Sequence, residues 1–193
     1  MNLISKVFRK IYARWRVFFY NMLSMAKVQG KAKFVSPVLA EGLGKVSVAA
    51  GVEFGFQSDL NFWNSYIFLN PKNADSSISI GENTIVCNNF SAVSEGPGIQ
   101  IGANVLIGSS VCIYDSDFHE IDPAHRLDGV PKMGKVVIED NVWIGDRVTI
   151  LKGSRIGKNS VVAAEAVVSG EFPSNVVIGG VPAKVIREIS SKL

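Results

Sequence analysis

In the C-terminal half of the chain the buried-type positions recur every sixth residue: Ile138, Ile144, Ile150, Ile156, Val162 and Val168. An amphipathic helix would repeat its apolar face every three or four residues, and a half-buried strand every two, so a strict six needs another geometry. Four positions after each anchor stand Val142, Val148, Ser154, Ser160, Ala166 and Phe172. Gly145 and Gly157 directly follow two anchors, as Gly81, Gly102 and Gly108 follow Ile80, Ile101 and Ile107 upstream. This pattern predicts a solenoid of short flat strands. Each hexad forms one side of a coil, aliphatics stack in the interior and small residues sit where the chain turns.

Elsewhere the pattern changes. Residues 2 to about 27 predict one helix, because Ile4, Phe8, Ile11, Trp15, Phe18, Met22 and Met25 alternate steps of four and three along one stripe, with Lys6, Arg9, Lys10 and Arg16 mostly off it. Gly30 closes that segment. Hexads begin imperfectly at about Val46, with Val48, Phe54, Leu60 and Tyr66 keeping the spacing among bulky aromatics, as expected of an atypical terminal repeat. A run through Ile80, Val86 and Ala92 breaks at Ser94-Glu95-Gly96-Pro97-Gly98, and another through Ile101, Ile107 and Ile113 follows in a new phase. Between Tyr114 and Lys135 the count stops. That interval concentrates charge and holds both histidines, His119 and His125; a loop of this length in a compact array is more often functional than idle. The chain then runs through its regular hexads to Gly179-Gly180-Val181-Pro182-Ala183-Lys184-Val185-Ile186-Arg187, a turn leading into a short basic helix or strand. Three segments result: the basic amphipathic helix at 1–30, the solenoid at 31–178 with its loop at 114–135, and a tail at 179–193.

Composition changes this picture in one respect. Of the 20 Lys and Arg, eight lie within residues 1–40, where no acid occurs, leaving 12 bases against all 17 acids in the remainder. The basic character belongs to the N-terminus alone, which argues against a nucleic-acid partner. Cys87 and Cys112 offer neither a disulfide framework nor metal-ligand spacing and are read as reduced fillers of a cytoplasmic protein. Arg14 and Arg16 interrupt the longest apolar stretch, so no membrane-spanning helix or secretory signal is expected.

The hexads, the stretch Asn141-Val142-Trp143-Ile144-Gly145 and the tail Gly180-Val181-Pro182-Ala183-Lys184-Val185-Ile186 resemble the hexapeptide-repeat acyltransferases over roughly residues 75–190. The likeness is greatest to the maltose and galactoside acetyltransferase branch and its relatives in polysaccharide synthesis. The resemblance implies a left-handed parallel β-helix, an exception to the usual right-handed crossover, assembled as a homotrimer with acetyl-CoA bound between subunits and no metal. It implies acetyl transfer to a sugar hydroxyl, with His119 where the family places its general base. Imidazole suits that task because its ordinary pKa lies near neutrality.

A base of this kind works best when its other nitrogen is held by an acceptor. Asp115, Asp117, Glu120, Asp122 and a backbone carbonyl all remain candidates, and Asp115 and Asp117 are equally candidates to bind acceptor hydroxyls. The family also places an Asn before the loop. Counting back from Leu106 selects Asn88, counting forward from Ile80 selects Cys87, and Asn89 is a third possibility, with a coil-corner role as the structural alternative. For acetyl-CoA, Gly145, Ala163, Ala164 and Ser169 are expected along the pantetheine arm, or else simply at tight turns. Trp143 is expected beside the channel or a subunit interface, and Lys184 and Arg187 at the phosphates.

The sugar branch usually begins with an acidic helical segment, and here a basic aromatic helix stands instead. Its apolar stripe is expected to lie either on the solenoid or a neighbouring subunit, or in a membrane interface with bases toward anionic headgroups, making the protein peripheral at the inner face of the membrane. Rival readings are N-acetylation of a nucleotide-linked amino sugar, and a non-catalytic scaffold. A zinc carbonic anhydrase on the same solenoid would need three histidines, one more than the chain has.

Overall fold

The computed structural model describes residues 3–190. Residue 2, the tail beyond Ser190 and the side chain of Leu60 lie outside the described residues. One helix, α1 (Leu3–Leu23), precedes a solenoid of parallel strands wound over three faces. The first face stacks Ser77–Ile80, Ile99–Ile101, Val136–Ile138, Arg155–Ile156 and Glu171–Phe172. The second stacks Ile85–Val86, Leu106–Ile107, Trp143–Ile144, Val161–Val162 and Val176–Gly180. The long strand Lys45–Phe54 serves both, pairing with Ser77–Ile80 through its first half and with Ile85–Val86 through its second. The third face is a separate sheet of Val38–Ala40, Ile67–Pro71, Ser91–Ser94, Cys112–Tyr114, Thr149–Ile150 and Val167–Val168.

The hexad count explains this geometry directly. Three sides of six residues bring each anchor under the one three hexads later, and the register pairs Ile138 with Ile156, Ile144 with Val162 and Ile150 with Val168. All six are essentially buried, and so are Val142, Val148, Ser154, Ser160 and Ala166 four positions on. Corners between faces need left-handed backbone, which Asn tolerates better than most residues. Asn83, Asn104, Asn141, Asn159 and Asn175 all carry φ between 55° and 61° at the corner between the first and second faces. There Asn141 Nδ2 donates to Asn159 Oδ1 and Asn159 Nδ2 donates to Asn175 Oδ1, both at 2.9 Å, so the corner is stitched from coil to coil.

The structure differs from the hexad reading at both ends. Coiling starts before Val46, because Val28–Phe34 already pairs with Lys45–Phe54, from Val28 against Val46 to Phe34 against Phe54. This coil lacks the aliphatic-Gly signature and hides among bases. Residues 55–66 are looped out around the 3₁₀ turn Leu60–Trp63, so the strand that follows is anchored by fully buried Ile67 and not by Tyr66, which is exposed. At the far end the tail is extended: Ala183–Glu188 folds back antiparallel on Val176–Gly180 and caps the last coil.

α1 is mounted opposite to the arrangement that its pattern suggests for packing on the solenoid. The one buried residue among those described in the helix is Arg16, whose guanidinium donates to the carbonyls of Phe62 and Ser65 in the looped-out segment. Arg9 lies 4.6 Å above the Trp63 ring. At the helix end Ser24 Oγ donates to Tyr20 O and accepts from Ala40 N, both at 2.9 Å, tying the chain to the third face. The expectation that the apolar stripe lies on this chain's own solenoid is therefore not met: Ile4, Phe8, Ile11, Trp15, Phe18 and Met22 are all exposed.

Candidate functional site

The loop that interrupts the count leaves the third face after Tyr114 and returns at Val136, closed by a short antiparallel stem. Ser116 pairs with Met133, Asp117 N donates to Lys132 O at 3.0 Å, and Gly134 N donates to Asp115 O at 2.8 Å. Phe118 turns the chain outward with φ of 61°, its N–H held by Ser116 Oγ at 2.9 Å and its ring set edge-on to Tyr114. The next residue, His119, is thereby presented at the surface. Its Nδ1 lies 3.2 Å from the carbonyl of Arg126. A carbonyl only accepts, so Nδ1 carries the hydrogen and the lone pair resides on Nε2. The carbonyl alternative for the orienting acceptor is the one this geometry fills.

The nearby acids are engaged elsewhere. Asp117 pairs with Lys152 at 2.7 Å. Glu120 and Asp122 accept from the N–H groups of Ile121 and Ala124 within their own turns. Asp115, expected at the acceptor, is completely buried: it accepts from Ser94 Oγ at 2.7 Å, from Glu95 N and Gly98 N at 2.8 Å, and from Gly96 N. It pins the turn 94–98 to the root of the loop and has no side open to a ligand, so the substrate-binding expectation for Asp115 is corrected to a structural one. Glu95 was not singled out by the sequence. Its carboxylate accepts from Lys72 at 2.7 Å and from Ser116 Oγ at 2.8 Å. Burial alone would raise it, but those bonds, with the attraction of Lys72 and His119, hold it below the ordinary carboxylate range.

Asn88 is also corrected. It is completely buried, its Oδ1 accepts from Phe56 N at 3.1 Å and from Ser36 Oγ, and its Nδ2 donates to Phe56 O at 2.8 Å. Its role is to hold the start of the looped-out segment. Asn89 occupies a left-handed corner with φ of 58°. Counting back from Leu106 was misleading because Leu106 points outward, while Ile107 is the inward anchor and stacks on Val86. The forward register from Ile80 therefore identifies the stacked position as Cys87. Burial, then the neighbouring charges of Asp59 and Asp146, push the Cys87 thiol up, which suits an unreactive filler.

Register places Gly55, Cys87, Gly108, Gly145, Ala163 and Gly179 directly above one another where the second face ends. A Cβ on Gly145 would lie 2.7 Å from Ala164 N, so close coil stacking itself requires glycine there. The product is a flat edge of small residues with exposed Ala164 beside it. Trp143 is 56% exposed on the outer surface of the same face, between Leu106 and Val161. Lys184 and Arg187 are exposed on the capping strand, next to Gly179 and Val177. Ser169 is not on this edge: it follows Val168 at the far end of the third face, at the corner where the loop bearing His119 departs. The two corners are separated by the width of the third face. The root of the loop bearing His119 and the small-residue edge thus lie at different corners of the coil.

Among the described residues no three His, Cys, Asp or Glu side chains converge as metal ligands, and no helix is long and apolar enough to cross a membrane.

Comparison with known proteins places this geometry in context. The family model for the bacterial transferase hexapeptide, six repeats, matches residues 135–170. A hexapeptide-repeat-containing acetyltransferase from Vibrio cholerae is similar, at 27% identity over 93% of this chain and 82% of that one, with a TM-score of 0.58. A galactoside acetyltransferase solved with coenzyme A shares the fold at 22% identity over 93% and 80%, with a TM-score of 0.55. So does a variant of the N-acyltransferase AntD from Bacillus cereus, solved with dTDP and coenzyme A, at 18% identity over 90% and 88%, with a TM-score of 0.59. No curated protein sequence matches the chain. The likenesses fix the solenoid as the left-handed parallel β-helix.

Proposed function

We propose that this hexapeptide-repeat protein is an acetyl-CoA-dependent acyltransferase that acetylates a saccharide hydroxyl in the synthesis of a surface polysaccharide, with His119 as general base. The observation that carries the reading is the contact of His119 Nδ1 with the Arg126 carbonyl, which leaves the lone pair on an exposed Nε2. Nε2 takes the proton from the attacking hydroxyl as its oxygen bonds to the thioester carbonyl carbon. When the carbon–sulfur bond breaks, the imidazolium returns that proton to the departing thiolate, so the base is regenerated. The coenzyme A complex of the galactoside enzyme and the sequence likeness to the Vibrio cholerae acetyltransferase support acetyl-CoA as donor. The edge at Gly145, Ala163 and Ala164 fits an extended pantetheine arm, Trp143 flanks it, and Lys184 and Arg187 offer cations to the phosphates.

Because the loop bearing His119 leaves the coil at a different corner from that edge, the working unit on this reading is a homotrimer in which one protomer's histidine meets its neighbour's edge. Residues 1–30, 31–178 and 179–193 act as helix, catalytic solenoid and cofactor tail, on the cytoplasmic side. The AntD likeness keeps amine acceptors in the test. The full-length protein is incubated with acetyl-CoA and a panel of neutral and amino saccharides, and products are read by mass spectrometry. O-acetylated product is expected, with kcat reduced on the order of 10²- to 10⁴-fold by His119→Ala at unchanged thermal stability. Product on amines alone would overturn the hydroxyl assignment, and full activity of His119→Ala would overturn the base.

A further inference from the structure

The face of α1 that an ordinary docked helix would bury is here turned to the outside. Ile4, Phe8, Ile11, Trp15, Phe18 and Met22 form one stripe along some 30 Å of helix, since 21 residues rise about 1.5 Å each. Phe18 is 62% exposed and Met22 69%. The opposite side is committed to the solenoid through Arg16, so the helix cannot roll its stripe inward without leaving the Phe62 and Ser65 carbonyls behind. Exposed Lys6, Lys10 and Arg14 follow one another at four-residue steps in a row that drifts around the helix, from the side away from the stripe at Lys6 to the edge of the stripe at Arg14. Exposed Lys27 and Lys31 continue the positive charge past the helix end, and the first acid in the sequence is Glu41. Residues 41–193 carry 12 Lys and Arg against 17 Asp and Glu, so the net positive charge belongs to the N-terminal 40 residues that include the exposed aromatics.

We infer that α1 is an interfacial anchor that lays its stripe into the headgroup region of an anionic bilayer, with Arg14 at the edge of the stripe and Lys10 and Lys6 on the adjoining flank attracted to the anionic headgroups. Three observations converge on a lipid surface: an amphipathic helix tied to the segment at 62–65 by a buried arginine, exposed aromatic side chains suited to the interface, and an acid-free flank of bases that reaches the stripe at Arg14. The orientation sets the solenoid on the membrane by its N-terminal coil. The inference goes beyond the acetyl-transfer reading and does not depend on it.

Full-length protein is floated with vesicles of neutral phosphatidylcholine and with vesicles containing about 30% phosphatidylglycerol. Binding is expected to the anionic vesicles, weakening as salt shortens the screening length. Lys6→Gln/Lys10→Gln/Arg14→Gln should weaken partitioning on the order of 100-fold, about fivefold per base. Phe8→Ser/Trp15→Ser/Phe18→Ser should abolish flotation while leaving acetyl transfer to a water-soluble acceptor, if present, unchanged. Because the substituted side chains are exposed, both variants should keep the wild-type unfolding temperature. Failure to float with anionic vesicles overturns the inference, as does equal flotation of the stripe variant. A stripe variant that changes the oligomeric state of a protein that never floats assigns the stripe to a second copy instead.

Discussion

Removing the Asp115 carboxylate separates a structural role from a ligand-binding one. Asp115→Ala leaves four donors without their acceptor: Ser94 Oγ and the N–H groups of Glu95, Gly96 and Gly98. These four residues differ in their access to water. Glu95 and Gly96 are partly exposed and can be rehydrated, whereas Ser94 and Gly98 are buried. Each buried orphan donor costs about 1–3 kcal/mol. The two buried donors, Ser94 Oγ and Gly98 N–H, thus lose about 2–6 kcal/mol together, and relief of the carboxylate's own desolvation trims the upper end. The net is about 2–4 kcal/mol. At this chain length about 2–4 °C of Tm accompanies each kcal/mol, so a fall of roughly 4–16 °C is expected in a thermal scan. Asp115→Asn should recover part of the loss, because its amide oxygen in the place of Oδ2 keeps the bonds from Ser94 Oγ and Gly98 N while its amide nitrogen faces the partly exposed Glu95 N–H. Acceptor KM, measured below the lowered Tm, should stay within about twofold of wild type. A KM rise of tenfold or more with Tm changed by less than about 2 °C would refute the structural assignment.

Two further outcomes test the surroundings of the site and the frame. The folded Glu95 carboxyl lies below its unfolded value, so its stabilisation is present at neutral pH and lost as pH falls through the folded titration; Glu95→Gln should cost about 1 kcal/mol or less near pH 7, and the gap should close towards pH 3 in urea titrations. An equal gap at both pH values would argue against it. At the stitched corner, Asn159→Ala loses two side-chain hydrogen bonds and forces alanine to φ of 61°, for about 2–3 kcal/mol in total, whereas Asn159→Gly escapes the backbone strain and should cost about 1 kcal/mol; the reverse order in urea midpoints would exclude left-handed strain as the reason for Asn.

Much of the solenoid was legible because one physical constraint repeats. A coil of three flat sides buries one aliphatic per six residues, and from Ile138 to Val168 no insertion breaks the phase. Legibility failed where the chain departs from that rule: at Val28–Phe34, whose outward bases mask its strand, and at residues 55–66, where a loop of unsignalled length shifts the anchor from Tyr66 to Ile67. His119 stood out in sequence because it lies where the count stops. The atom that orients it belongs to the backbone of Arg126, and backbone partners carry no side-chain signature.

The sequence by itself determined the period, most of the interior anchors and the loop that departs from them, because each follows from residue type at fixed spacing. Only the tertiary structure decided which polar groups are consumed in holding the frame and which remain outside it. Asp115 and Asn88 read as ligand contacts until the turns at 94–98 and 55–56 close over them, and Arg16 read only as a base off the apolar stripe, although carbonyls 46 and 49 residues away bury it. A buried polar group is defined by its partners, and partners distant in sequence meet only once the coils are stacked.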